Sequence, residues 1–362
     1  MLQPPIEPML ASPIGNAVPE DAGDVLFKPK WDGFRCIVFR MDDTVVLQGR
    51  GRSRGASDEV IDLAYAFPEL VAECLAQLPP GTVLDGEIVA VHAGRLDFGV
   101  LSMRLRPRSE AGGPSIAKLA AEHPATLLAF DALWIERDLR DEPFDIRRAA
   151  LAELGRTWRA PLLLTPSTSD PAVARTWFEG FEAAGVDGLM VKSRTDAYQA
   201  GKRVQGKVKH QRSADVVVAG WRPHAKPGAD GGEVVGSLLL GLHDPTGVLQ
   251  YVGVSSAFPA MTRASLVELL APFATGEDEP HPWRGQAQGR IPGEANRWKK
   301  EQPWRALRPT LVAEVSFDQL EGDRFRHVAQ FSRWRPDRTA DTCTYEQIER
   351  PPDAVIDGLL NG

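Results

Sequence analysis

The decapeptide Phe27-Lys28-Pro29-Lys30-Trp31-Asp32-Gly33-Phe34-Arg35-Cys36 sets Lys, Asp and Arg between apolar residues. A lysine amine held in such surroundings serves as a nucleophile once it has lost its proton. Carboxylates follow in Thr82-Val83-Leu84-Asp85-Gly86-Glu87-Ile88-Val89-Ala90-Val91, where an acid within an apolar run must be paired or hold a metal. Val186-Asp187-Gly188-Leu189-Met190-Val191-Lys192 repeats the pattern of acid, glycine, apolar residues and cation, and Lys202, Arg203, Lys207, Lys209 and Arg212 come close behind. Lys207 and Lys209 would project from one face of a strand, where two ammonium groups repel unless an anion such as a polyphosphate lies between them. Gln48-Gly49-Arg50-Gly51-Arg52-Ser53 could also bring amides and guanidinium groups onto a phosphate. Plainer readings exist: a hairpin turn at Asp32-Gly33 and a solvated loop at Arg50, while Phe130, in the run Thr126–Trp134, is either a platform for stacking a base or an ordinary core aromatic.

These residues need elements to hold them. Val25-Leu26-Phe27 and Cys36-Ile37-Val38-Phe39 read as two strands with Asp32-Gly33 as the tight bend between them. Thr44–Leu47 and Thr126–Trp134 read as further strands, and the spacing of apolar residues from Asp58 to Leu78 predicts a core-facing helix. Phe98 to Arg104 and Phe178 to Ala184 read as short helices, and residues 1 to 24, rich in Pro, Ala and Gly, as an extended arm. After Arg212 the pattern turns to short strands at 215–221, 236–242, 248–254, 311–317 and 328–331 with one helix at 262–270, which fits a five-stranded oligonucleotide-binding (OB) barrel.

At 362 residues the chain suits two domains, and 43% hydrophobic with 25% charged residues is the balance of a globular protein. A net charge of −7 argues against indiscriminate coating of nucleic acid, although it says little about one groove. Cys36, Cys74 and Cys343 are widely spaced with no Cys-x-x-Cys pair, which points away from a disulfide framework or zinc site and toward a reducing compartment. With no basic leader and no apolar run of membrane-spanning length, the expected location is the cytoplasm.

Taken in order, Lys30-x-Asp32-Gly33-x-Arg35, Arg50, Asp85-Gly86-Glu87, Phe130-Asp131-x-Leu133, Asp187-Gly188-Leu189-Met190-Val191-Lys192 and Lys207-Val208-Lys209 resemble the nucleotidyltransferase motifs of ATP-dependent DNA ligases. The second region ends in Arg335-Pro336-Asp337-Arg338, and the flanks Pro8-Met9-Leu10-Ala11 and Thr344-Tyr345-Glu346-Gln347 are similar to the bacterial ligase C and ligase D type, the length matching a stand-alone ligase C. The resemblance covers essentially the whole chain. It implies an α+β fold: a nucleotidyltransferase (ATP-grasp-like ligase) domain of antiparallel sheets and helices over residues 1–210, then an OB-fold barrel domain over 211–362.

The resemblance further implies three steps. Lys30 attacks the α-phosphorus of ATP to give lysine-AMP, the AMP passes to the 5′-phosphate of a nick, and the 3′-hydroxyl displaces it. Carried over residue by residue, Lys192, Lys207 and Lys209 join Lys30 around the α-phosphate, and Glu87 and Asp187 hold Mg²⁺ or Mn²⁺. Phe130 stacks on adenine, Arg35 meets the sugar, Arg50 grips the nick 5′-phosphate, and Phe27 and Lys28 complete the nucleotide site. Arg335, Asp337 and Arg338 orient the pyrophosphate. Three positions depart from the family pattern: Lys28 and Asp187 stand where relatives carry Glu, and Arg338 where Lys is usual. The implied substrate is nicked double-stranded DNA, contacted by Arg203–Arg212 and by Arg290–Arg308, with repair proteins as further partners and a monomeric enzyme acting in DNA repair. An RNA ligase or capping-type nucleotidyltransferase, and a non-catalytic OB-fold DNA-binding protein, are the alternatives.

Overall fold

The computed structural model describes residues 1–20, 23–52, 60–105, 114–276, 278–284, 303–348, 355–356 and 359. The chain divides into two compact units, Met1–Lys209 with Arg350–Gly362, and His210–Glu349. The first crossing falls one residue before the boundary read from the sequence. The closing stretch differs from expectation by grouping with the first unit. Ile356 and Leu359 are buried there beside Trp31, Val89 and Val186, and the Ile356 amide donates to the Gly94 carbonyl at 2.8 Å.

Two sheets build the first unit. One has the strand order Leu10–Gly15, Arg203–Val208, Leu189–Ser193, Val25–Pro29. The other runs Leu162–Leu164, Ala125–Ile135, Thr82–His92, Phe34–Arg40, Val45–Arg52, Val60–Asp62. Among the described residues the pairings are antiparallel with two exceptions, Leu10–Gly15 on Arg203–Val208 and Leu162–Leu164 on Ala125–Ile135, which are parallel. A parallel partner requires a long crossover. The helix Phe144–Leu154 lies within the crossover of the second pair, and most of the unit's chain separates the first. The opening arm is thus partly a strand of the first sheet.

The bend at Asp32-Gly33 is not a hairpin. Val25–Pro29 and Phe34–Arg40 belong to different sheets, so Lys30–Gly33 carries the chain from one to the other. Gly33 is required by crowding: a Cβ there would lie 2.1 Å from the Ile88 carbonyl oxygen. The helix expected from Asp58 begins only at Pro68, where proline suits the first turn, and runs to Gln77.

The second unit has a five-stranded antiparallel sheet in the order Leu249–Ser255, Val235–His243, Arg212–Pro223, Arg305–Phe317, Gln330–Trp334. A shift in register between Val218 and Gly220 bends the central strand against both neighbours. The sheet edges meet, because the Ala329 amide donates to the Val254 carbonyl at 2.9 Å and Ser255 bridges Ala329 in parallel. That closure, with the helix Ala260–Leu270 packed against the core, is the OB arrangement. Among the described residues no helix is long and apolar enough to cross a membrane.

Candidate active site

Lys30 lies where the ladder between Val25–Pro29 and Leu189–Ser193 ends. The Lys30 amide donates to the Gly188 carbonyl and the Asp187 amide to the Lys30 carbonyl, both at 2.9 Å. Gly188 makes this possible: its φ is +104°, and a Cβ would sit 2.1 Å from the Val208 carbonyl oxygen. The Lys30 ammonium is thereby bonded to the Asp187 carboxylate, whose same oxygen lies 2.8 Å from the Lys209 ammonium. Burial alone would raise the Asp187 carboxyl, but Lys30 and Lys209 hold it below the usual carboxylate range. Lys207 is lowered by partial burial and then by the like charges of Lys209 and Lys30.

The second sheet contributes the facing groups. Arg35 stands directly opposite Glu87 in the register of Phe34–Arg40 with Thr82–His92. Asp85 is fully buried and accepts from Arg35 Nε at 2.5 Å and Nη2 at 2.6 Å, and from the Tyr198 hydroxyl at 2.7 Å. Burial works against the Arg35 charge, but Asp85 more than restores it. The guanidinium sits 4.5 Å from the centre of the Phe130 ring. Desolvation pushes the Glu87 carboxyl up to about 7, with Arg35 and Lys30 only partly offsetting it.

Below these lies a cationic layer. Lys28 donates to the Phe130 carbonyl at 2.7 Å, and the Lys28 and Lys192 ammonium groups each lie 4.7 Å from the Phe144 ring centre. Lys192 reaches Asp131 at 3.5 Å, and Arg147 holds the same carboxylate at 2.8 Å. Burial pushes the Lys28 amine well below its ordinary value, with Lys192 and Arg148 adding like charge. Burial lowers Lys192 as well.

A cavity of about 210 Å³ brings together nine residues singled out from the sequence: Lys28, Lys30, Arg35, Arg50, Glu87, Phe130, Lys192, Arg203 and Lys207. Asp187 and Lys209 join it through Lys30. Phe27 does not line it. Neighbours in a strand face opposite ways, and Phe27 is fully buried against Ala174, Phe178 and Val208. The sequence reading missed Trp31 and Thr165, joined at 3.0 Å in the cavity wall, and Met190 and Gln205. Met9, from the flanking motif Pro8–Ala11, lines the cavity too. Only the strand period could have pointed to Met190, two residues before Lys192.

Arg335 and Arg338 belong to the second unit. Arg335 pairs with Asp215 at 2.9 Å, Asp337 at 2.8 Å and Glu314 at 3.5 Å, and Arg338 meets Asp215 at 3.3 Å. In the basic stretch expected on DNA, Arg290, Arg297, Trp298, Lys299 and Lys300 lie outside the described residues. Trp304 packs on His281 and Trp283, and Arg305 pairs with Glu233 at 2.8 Å. Among the described residues no group of three or more His, Cys, Asp or Glu could hold a metal ion.

Comparison with known proteins decides the family. Residues 8–210 match the ATP dependent DNA ligase domain, and residues 231–338 the ATP dependent DNA ligase C terminal region. The chain belongs to the ATP-dependent DNA ligases. DNA ligase C2 of Mycolicibacterium smegmatis is 44% identical over 96% of either chain. DNA ligase C of Mycobacterium tuberculosis is 42% identical over all of this chain and 98% of its own. A Lig E DNA ligase structure, 18% identical, matches 91% of this chain and 99% of its own with a TM-score of 0.53, which is a likeness of fold. This ligase is therefore an ATP-using enzyme that joins DNA.

Proposed function

We propose that this ligase seals nicks in duplex DNA through an AMP carried on Lys30. The observation that carries the reading is the Lys30–Asp187–Lys209 cluster, set by the backbone at the wall of a cavity that also holds Arg35, Phe130, Lys192 and Lys207. After its ammonium releases a proton to solvent, Lys30 Nζ bonds to the α-phosphorus of ATP. The bond to the bridging oxygen breaks and pyrophosphate leaves with its electron pair. The 5′-phosphate of the nick then takes the AMP from Lys30, and the 3′-hydroxyl displaces AMP as it forms the new phosphodiester. Positioning and charge neutralisation dominate such transfers.

Lys192, Lys207 and Lys209 would meet phosphate oxygens, Phe130 the adenine, Arg35 the sugar and Arg50 the nick 5′-phosphate. Arg335 and Arg338 would orient pyrophosphate after leaving their carboxylate partners. Glu87 and Asp187 suit a hard divalent cation, Mg²⁺ or Mn²⁺. Desolvation leaves the Glu87 charge poorly compensated, and two carboxylates with phosphate oxygens and waters form the set such an ion takes. When bound, the ion would offset charge developing on the α-phosphate. We extend the reading to DNA repair by a monomer in the cytoplasm, with the basic stretch around Lys299 and Lys300 on the duplex.

The test is intact-mass measurement after incubation with ATP or GTP, followed by addition of nicked DNA or nicked RNA. The expected result is one AMP on the wild-type chain, from ATP only, absent in Lys30→Ala and passed to nicked DNA. No adduct with either nucleotide overturns the reading, and transfer to RNA alone would favour an RNA ligase.

A further inference from the structure

Tyr198 belongs to none of the motifs assigned above, and it does not line the cavity. Its hydroxyl nevertheless joins one part of the cavity wall to the carboxylate that holds another, remote in sequence. It donates to Asp85 Oδ2 at 2.7 Å and accepts from the Met9 amide at 3.3 Å. Asp85, fully buried, is the carboxylate that holds Arg35 by two hydrogen bonds. Met9 belongs to the Pro8–Ala11 segment, which forms another part of the same wall.

We propose that Tyr198 is a positioning residue for nucleotide capture, fixing the Pro8–Ala11 wall and the Arg35 guanidinium in one mutual arrangement. The chain of bonds has a set direction: Met9 N–H to the hydroxyl, hydroxyl to Asp85, and Arg35 to Asp85 from the other side. A buried carboxylate that loses one donor must recover it by moving, and here the movable partner is Arg35. Tyr198 belongs to the buried apolar cluster that includes Ile6, Ile37, Phe39 and Leu133, so phenylalanine would keep its place there. The arm also keeps a second anchor, because the Ile6 amide donates to the Gln48 side chain at 2.9 Å. Loss of the hydroxyl therefore loosens the wall and leaves the fold standing.

The inference rests on the proposed lysine-AMP reaction, and the experiment separates the two. Labelled AMP incorporation into wild type, Tyr198→Phe, Arg35→Lys and the double variant is followed against ATP concentration, with the end-point giving the active fraction. Tyr198→Phe is expected to raise the half-saturating ATP concentration of this single-turnover step (its KM) about tenfold, with the limiting rate of AMP incorporation per active site within about twofold of wild type. A merely structural role would lower the end-point and leave KM in place, so partial misfolding cannot mimic the result. If Tyr198 acts through Arg35, the double variant has nearly the KM of Arg35→Lys alone. An unchanged KM in Tyr198→Phe, or KM effects that multiply, would overturn the inference. Failure of wild type to take up AMP would instead overturn the reaction itself.

Discussion

Lys30 and Asp187 are joined twice, once through their side chains and once through the Asp187 amide, which donates to the Lys30 carbonyl at 2.9 Å. The nucleophile and its carboxylate partner are therefore set by backbone geometry, and neither can shift without the other.

Asp187→Asn keeps the shape of this pair and removes its charge. Lys30 and Lys209 then repel without a counter-ion, and AMP incorporation at saturating ATP should fall roughly 100-fold. A rate within threefold of wild type would count against the cluster. Because the Asp187 carboxyl is held low by the two lysines, its stabilising contribution is present above the ordinary carboxylate range near 3.9 and fades as pH drops through its lowered value. The wild-type advantage over Asp187→Asn in thermal melting should shrink accordingly in acid.

The two motif glycines should fail differently. Gly188→Ala places a side chain at φ +104° and 2.1 Å from the Val208 carbonyl, so strain and clash combine. Gly33→Ala meets only the clash with Ile88. Both should destabilise by about 2 kcal/mol or more, Gly188→Ala the further. Urea unfolding checks the order, and equal stability of wild type and Gly188→Ala would refute it.

Glu87 should leave a mark on stability in metal-free buffer. Its carboxyl is raised to about 7, above the unfolded value near 4.3, so the folded protein holds the proton longer. The contribution is full below about 4.3 and is lost as pH rises through 7. Glu87→Gln should remove that slope and melt a few degrees, roughly, above wild type at pH 8. Parallel melting profiles for the two proteins would show that Glu87 is not desolvated.

Lys28 is the reverse case. Its amine is pushed well below the unfolded value near 10.4, so burial costs stability increasingly as pH falls below that value. Lys28→Met, similar in length and apolar, should raise the melting temperature at pH 7, with the gain shrinking toward pH 10. A loss of stability at pH 7 would mean that the bond to the Phe130 carbonyl outweighs the cost of the buried charge.

What could be read beforehand follows from how local each signal is. Lys30, Glu87, Asp187 and Lys192 were legible because each stands in a short run whose polarity breaks an apolar strand. Asp32-Gly33 misled because the same dipeptide serves a hairpin and a close approach between sheets, and only the Ile88 carbonyl tells them apart. Phe27 misled because adjacency in sequence places alternate strand residues on opposite faces. Tyr198 and Thr165 had no local signature, since their meaning comes from Asp85 and Trp31, 113 and 134 residues away. The return of Ile356 to the first unit was equally hidden, as the apolar contacts that hold it lie far back in the chain.

That return makes the second unit an insertion, entered at Lys209–His210 and left at Glu349–Arg350. Near its two ends Asp215 and Gln347 are clasped, the Asp215 amide donating to the glutamine oxygen at 2.7 Å and the glutamine nitrogen to the Asp215 carbonyl at 2.9 Å. A module spliced into another in this way has both of its chain ends committed to the same unit. Cleavage of one connecting peptide would leave it attached through the other.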